Sequence, residues 1–244
     1  VKLSRFFIAI KQPYHFFQGF LAWMMFGILR KKIRIIGVTG TDGKTTTSTM
    51  IYHLLKHAGK KVALISTVAA YIGDQEIDTG FHVTTPSPFS LQKLLGNIAK
   101  QGYEFVVLEA TSHGIHQFRL LGIQPEIVVL TNITHEHLDY HGTYDHYLKT
   151  KASFLGCAKI AIINKQDKSE SMVRQFLRKK ELRVISYDVK TCEPSIRSVL
   201  MKYISEPYNR ENALAAITAC MSLHIPTEVC IKGIQSFKGV KGRM

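Results

Sequence analysis

From residue 33 onward, short apolar runs alternate with amphipathic stretches and polar turns. The runs 33–38, 61–65, 103–108, 127–130, 159–163 and 183–187 are rich in Val, Ile and Leu and read as strands. Between them lie helical patterns. The segment 48–58 places Met50, Ile51, Leu54 and Leu55 on one face and stops at Gly59. The segment 89–101 does the same with Leu91, Leu94, Leu95 and Ile98, and stops at Gly102. Further helices are predicted over 143–155 behind a Thr143 cap, and over 169–180, 209–223 and 227–237. The turn-rich stretch 66–88 holds a hairpin about Gly73-Asp74, with Tyr71, Ile72 and Ile77 in its arms. Strands that are apolar throughout, separated by helices, are buried on both sides. The prediction is an α/β fold: a mainly parallel sheet with helices on both faces.

Residues 1–32 follow another rule. The run 12–29 contains no Asp, Glu, Lys or Arg, and Arg30-Lys31-Lys32 closes it. Pro13 suits the first turn of a helix. Three readings stand: a membrane span, which needs about 20 apolar residues; a helix lying on the membrane with basic flanks on anionic headgroups; or a helix packed on the domain or a partner. Gln12, His15, Gln18 and Gly19 argue against a span. The chain thus divides into an apolar N-terminal segment (1–32) and a strand–helix domain from residue 33 onward.

Composition adds little except charge. The 244 residues are 45% hydrophobic and 20% charged, ordinary for a globular protein, but the formal net charge is +14. A basic surface suits anionic ligands. The cations are scattered, so a nucleic-acid arm is not expected. Cys157, Cys192, Cys220 and Cys230 form no CxxC pair and read as buried small apolar residues in a reducing compartment.

The chemistry centres on Gly40-Thr41-Asp42-Gly43-Lys44-Thr45-Thr46, set between a strand and a helix. Glycines let backbone N–H groups approach phosphate oxygens. The helix start and Lys44 add positive charge, and Thr45 can reach Mg²⁺. The spacing is shorter than the usual P-loop: Val38 stands where that pattern has its first glycine. In such a sheet, ligands bind beyond the carboxyl ends of the strands. Glu109 stands there, where an NTPase holds its metal. So does the histidine-rich stretch His135, His137, His141 and His146. Tyr140 and Gly142 suggest a loop here rather than one helical face. No cysteine is close, so one histidine as a ligand to a nucleotide-bound Mg²⁺ is preferred to a zinc centre.

Taken in order, the 40–47 loop, Thr84-Thr85-Pro86, Glu109-Ala110-Thr111-Ser112, Asn132, His137-Leu138-Asp139-Tyr140-His141-Gly142, Lys151 and Asn209-x-x-Asn212-x-Leu214-Ala215-Ala216 resemble the Mur ligase family. They look most like its UDP-N-acetylmuramoyl-tripeptide synthetase branch, over residues 33–244. That resemblance implies an ATP-dependent amide ligase of peptidoglycan precursor synthesis, acting through an acyl phosphate. It implies ATP held by Gly40 to Thr46 with Asn209 and Asn212 near the adenine. It implies two Mg²⁺, one on Thr45 and Glu109, the other near His137 and a carbamylated Lys151. It implies Thr84, Thr85, Ser112, Gln117 and Arg119 against the UDP-muramoyl peptide. A cytoplasmic monomer is implied, at most peripheral to the inner face of the membrane, with an amino acid as second substrate and no nucleic acid. The family pattern departs at Asp42, at Ala110-Thr111 and at Glu136. The family also carries an N-terminal uridine-nucleotide domain and a C-terminal domain. The resemblance therefore implies that 33–238 is the central ATP-binding domain, that 239–244 begins a linker to the C-terminal domain, and that this chain is incomplete. Rival readings are a folylpolyglutamate or cyanophycin synthetase-like ligase, and a nucleotide-binding module without catalysis.

Overall fold

The computed structural model describes residues 2–27, 33–66, 70–73, 75–77 and 85–239. Its elements in chain order are α1 (Lys2–Phe26), β1 (Arg34–Thr39), α2 (Lys44–His57), β2 (Val62–Ile65), β3 (Ala70–Ile72), β4 (Gln75–Ile77), α3 (Pro88–Lys100), β5 (Phe105–Glu109), α4 (Ser112–His116), β6 (Ile127–Leu130), α5 (Leu138–His141), α6 (Tyr144–Leu155), β7 (Ile160–Asn164), α7 (Glu170–Leu177), β8 (Arg183–Tyr187), α8 (Pro194–Tyr203), α9 (Pro207–Ser222) and α10 (Thr227–Gln235). The strands form one eight-stranded sheet in the order β4-β3-β2-β5-β1-β6-β7-β8. All neighbours are parallel except the β2-β3-β4 meander at one edge. The predicted hairpin is the β3–β4 pair.

Period-two alternation in the central strands feeds two cores. Ile36, Val38, Leu64, Val107, Val129 and Ile162 point to one side, against α2, α8, α9 and α10. Ile35, Ala63, Val106, Val128, Leu130 and Ile163 point to the other, against α3, α6 and α7. Helices cover both faces, as the continuous apolar strands require. In β1, Gly37 packs under the Phe154 ring, and a Cβ there would come within 2.6 Å of it. The register puts Val38 opposite Glu109 and Thr39 opposite Leu130. The chain segments after β1, β5 and β6 therefore emerge side by side at one edge. β1 sits between β5 and β6, so the connection from β5 to β6 crosses β1 and opens a crevice there.

Several expectations need correction. The helix after the glycine loop starts at Lys44, not at residue 48, so the loop runs straight into it. α1 does not start at Pro13; the proline lies inside it. Two of its glycine contacts fix α1 to the domain. Gly19 lies on the Phe118 carbonyl and Leu121, and the Trp23 indole lies on Gly122. Among the described residues, no helix is long and apolar enough to cross a membrane. The 137–141 stretch is not a loop throughout: Leu138–His141 is one helical turn, with Gly142 at φ 80° closing it. Helices α4 and α8 were not anticipated. All four cysteines are free, but only Cys220 and Cys230 are buried; Cys157 is exposed and Cys192 half-buried.

Candidate functional site

The loop between β1 and α2 is held by the segment after β6. Thr41 N–H donates to the Asn132 carbonyl at 2.9 Å, and Asp42 N–H to Asn132 Oδ1 at 2.9 Å. Thr131 Oγ1 donates to the Asp42 carbonyl at 2.6 Å, and Thr134 N–H to Thr41 Oγ1 at 2.9 Å. Gly43 caps α2 in the left-handed conformation, φ 76°. That conformation turns the chain so that the first turn of α2 faces the crevice. Lys44 Nζ donates to the Thr41 carbonyl at 2.6 Å, across the mouth of the loop. One residue on, Thr45 Oγ1 lies 3.1 Å from both carboxylate oxygens of buried Glu109. A hydroxyl and a carboxylate at this place are hard oxygen donors that fit Mg²⁺.

Behind the loop sits Lys151, carried by α6 and 1% exposed. Its Nζ donates to the Gly40 carbonyl at 2.5 Å and lies 4.5 Å from the centre of the Tyr147 ring. Burial, then repulsion from Lys44, holds its pKa well below the usual lysine range. The lowered pKa favours the neutral amine, which is the form of a lysine that reacts with CO₂.

Gly40, Lys44, Thr85, Thr111, Ser112, His113, Gln117, Arg119, His137, Tyr147 and Lys151 line one cleft of about 340 Å³. Thus Thr85, Ser112, Gln117 and Arg119, distant in the chain, converge with Lys44, His137 and Lys151. Arg119 donates to the Thr85 carbonyl and to Gln117 Oε1, at 2.7 and 3.0 Å for the latter. Burial lowers its pKa, but an arginine stays charged, so Arg119 lines the cleft as a cation. Thr84 lies outside the described residues. A second cleft of about 550 Å³ opens on the other side of the loop, lined by Asp42, Gly43, Thr46, Asn132, Tyr208, Asn209, Glu211 and Asn212. Asn212 Nδ2 donates to Asn209 Oδ1 at 3.3 Å, and Asn212 Oδ1 accepts from Thr47 at 3.3 Å.

The close approach of Asn212 to Gly43 leads to a prediction. A Cβ on Gly43 would run into the Asn212 amide at a φ that L side chains avoid. Gly43→Ala is expected to cost about 1–2 kcal/mol of stability and to weaken ATP binding roughly tenfold. A thermal melt and a calorimetric titration check both. An unchanged affinity would remove Gly43 from the nucleotide site.

The sequence places His113 just after a strand end but gives neither His113 nor His116 a part in the site. Helix α4 brings them against α5 and α6. The His113 ring is 5.0 Å from His137 and 5.7 Å from His141; His116 is 5.6 Å from His141 and 5.2 Å from His146. A pattern of chain neighbours could not reveal this, because the partners belong to different strand ends. Neither nitrogen of buried His141 has a hydrogen-bond partner. Burial and the neighbouring imidazoles push His141 down to about 3 and His116 to about 4. Among the described residues, no group of three or more His, Cys, Asp or Glu is arranged to hold a metal ion.

These histidines give stability a sign with pH. Their folded pKa values lie below the unfolded value of about 6.5, so below that pH the unfolded chain binds more protons. Stability is full above pH ~6.5 and falls as the pH drops toward the folded values. With allowance for partial exposure, the loss by pH 5 is on the order of 2 kcal/mol. That corresponds to a fall of about 5 °C in Tm. Melts of wild type and of a His116→Phe/His141→Phe variant from pH 7.5 to 4.5 measure it. Superimposable slopes would show that the cluster does not set the acid limit.

A glycine-lysine loop at a sheet switch point, its first hydroxyl tied to a strand-end carboxylate, makes this a P-loop nucleotide-binding domain. Residues 38–206 match the Mur ligase middle domain, and the chain belongs to the Mur ligase family. It is 35% identical over 242 residues to the UDP-N-acetylmuramoyl-L-alanyl-D-glutamate--2,6-diaminopimelate ligase of Phocaeicola vulgatus, covering 92% of this chain and 49% of that protein. To ligase 1 of the same description from Clostridium acetobutylicum it is 34% identical over 229 residues, 87% of this chain and 47% of that one. A solved structure of a UDP-N-acetylmuramoyl-L-alanyl-D-glutamate--2,6-diaminopimelate ligase superposes with a TM-score of 0.77 at 27% identity, over 96% of this chain and 52% of the other. The chain spans about half the length of the curated relatives it matches.

Proposed function

We propose that this domain activates the carboxylate of UDP-N-acetylmuramoyl-L-alanyl-D-glutamate with ATP and passes it to the amine of an amino acid. The relatives' names make 2,6-diaminopimelate the first amino acid to test. The observation that carries the reading is the single cleft in which the phosphate-loop lysine, Arg119 and buried Lys151 face the same space.

In this reading the γ-phosphate of ATP lies over the N-terminus of α2, against Lys44, with the adenine toward Asn209 and Asn212. Arg119, Gln117, Ser112, Thr85 and Thr84 orient the muramoyl peptide. Its carboxylate oxygen attacks the γ-phosphorus in line; the bond to the β-phosphate oxygen breaks and ADP leaves. The amine nitrogen then attacks the acyl carbon of the acyl phosphate, inorganic phosphate departs with the C–O electrons, and the amine loses a proton. Two anions must meet in the first step, so positive charge is the main need. Lys44 and Arg119 supply it as fixed groups. Thr45 with Glu109, and His137 with a carbamylated Lys151, would hold two Mg²⁺; when bound, these would neutralise the phosphate oxygens. Carbamylation of the Lys151 amine by CO₂ would turn it into an oxygen ligand and release one proton.

ADP release is the test. It should appear with Mg²⁺, ATP, the UDP-muramoyl dipeptide and an amino acid together, and stay at background without the dipeptide. ATP turnover indifferent to the dipeptide would overturn the reading.

A further inference from the structure

We propose that the outer face of α1 docks the protein on an anionic membrane surface, a property separate from the ligase chemistry. The helix has two faces. Gln12, Gly19, Ala22 and Trp23 face the domain: Gln12 reaches His116 at 3.0 Å, Gly19 lies on Phe118, and Trp23 covers Gly122. Phe16 meets Phe118 edge-on at 5.5 Å. On the opposite side, Ile10, Tyr14, Phe17, Leu21 and Met24 recur at alternating steps of four and three residues, which places them in one line along a helix. They are 57%, 60%, 61%, 38% and 59% exposed, with Met25 beside them at 60%. The stripe is roughly 20 Å long at about 1.5 Å per residue. Folding against the domain has not consumed it. A contiguous apolar stripe of this kind marks an interaction surface.

Charge selects the occupant. Lys2, Arg5, Lys11, Arg30, Lys31 and Lys32 all precede the first acidic residue of the chain, Asp42, and Arg34, already paired with Glu126, is not counted with them. These cations flank the uncharged run 12–29, so pairing two copies through that run would bring basic ends together in either orientation. An anionic lipid surface offers apolar depth for Phe17, Leu21 and Met24 and counter-charge for the basic residues. Tyr14, with an apolar ring and a polar tip, suits the headgroup boundary. No described helix can cross the bilayer, so the expected mode is lying in the interface.

Flotation of the full chain with vesicles tests this. Vesicles of 30% phosphatidylglycerol in phosphatidylcholine should bind at least about tenfold more protein than pure phosphatidylcholine vesicles. Phe17→Asp/Met24→Asp should lose that binding while MgATP affinity and Tm stay unchanged. Equal binding to both vesicle types, or none to either, overturns the proposal. So does a stripe-dependent rise in mass by sedimentation without lipid, which would assign the stripe to a helix–helix contact. Failure here leaves dipeptide-dependent ADP release untouched, so the two readings fall separately.

Discussion

Lys44→Met is expected to weaken MgATP binding by about 100-fold, close to 3 kcal/mol. The lysine stands at the first turn of α2, and its ammonium spans the loop to the Thr41 carbonyl. A polyphosphate seated on the loop would exchange that neutral carbonyl for anionic oxygens, and charge-assisted hydrogen bonds are worth roughly twice neutral ones. Methionine keeps the stem length and the helix propensity, so the fold should be retained. Lys151 should respond as well. Lys44 is the second cause of its lowered pKa, after burial. Removing that cation lets the Lys151 amine hold a proton more readily, so the variant should carry less carbamate at neutral pH. Isothermal titration with the variant measures the first effect. Wild-type affinity would mean that nucleotide does not use this loop.

The second large effect is expected at Lys151. In Lys151→Ala, dipeptide-dependent ADP release should fall by at least about 100-fold, the scale of losing one preorganised electrostatic partner. Short carboxylates such as acetate, at tens of millimolar, should restore part of it by occupying the vacated space. Independently of turnover, wild type equilibrated with ¹³C-bicarbonate should show a carbamate carbon signal that the variant lacks. The fold should survive the change, because an amine 1% exposed with one carbonyl acceptor is an expensive group to bury. Lys151→Met should accordingly melt no lower than wild type. Equal activity in wild type and Lys151→Ala, with no carbamate signal in either, would reduce Lys151 to a loop support.

Much of this site is legible in the chain because its parts are local. The loop, Lys44 and the helix after it are contiguous, and Glu109 is the last residue of an apolar strand. Strand ends in a parallel sheet gather at one edge, so Glu109 and Thr131 could be placed beside the loop before any coordinates. The shorter spacing was readable as well: Gly40 and Gly43 both take positive φ, at 154° and 76°. What stayed hidden depends on packing between distant segments. α8 has only Ile196 and Leu200 buried, too thin an apolar stripe to stand out among the surrounding polar residues. α1 reads past Pro13 because the ring is accommodated within a longer helix. The role of Thr131 and Asn132 as supports of the loop backbone has no local signature. The same holds for His113 and His116, which become neighbours of His137 and His141 only once α4 packs beside α5 and α6.

The central claim is that nucleotide binds across the 40–46 loop with its phosphates toward Lys44 and Lys151 and its base toward Asn209 and Asn212. A crystal structure with Mg²⁺ and a non-hydrolysable ATP analogue tests it most directly. The expected result is a γ-phosphate at the N-terminus of α2, a metal ion within bonding distance of Thr45 Oγ1 and a Glu109 oxygen or its bound water, and the adenine in the cleft beside Asn212. A nucleotide bound elsewhere, or phosphates turned away from Lys44 and Glu109, would contradict it.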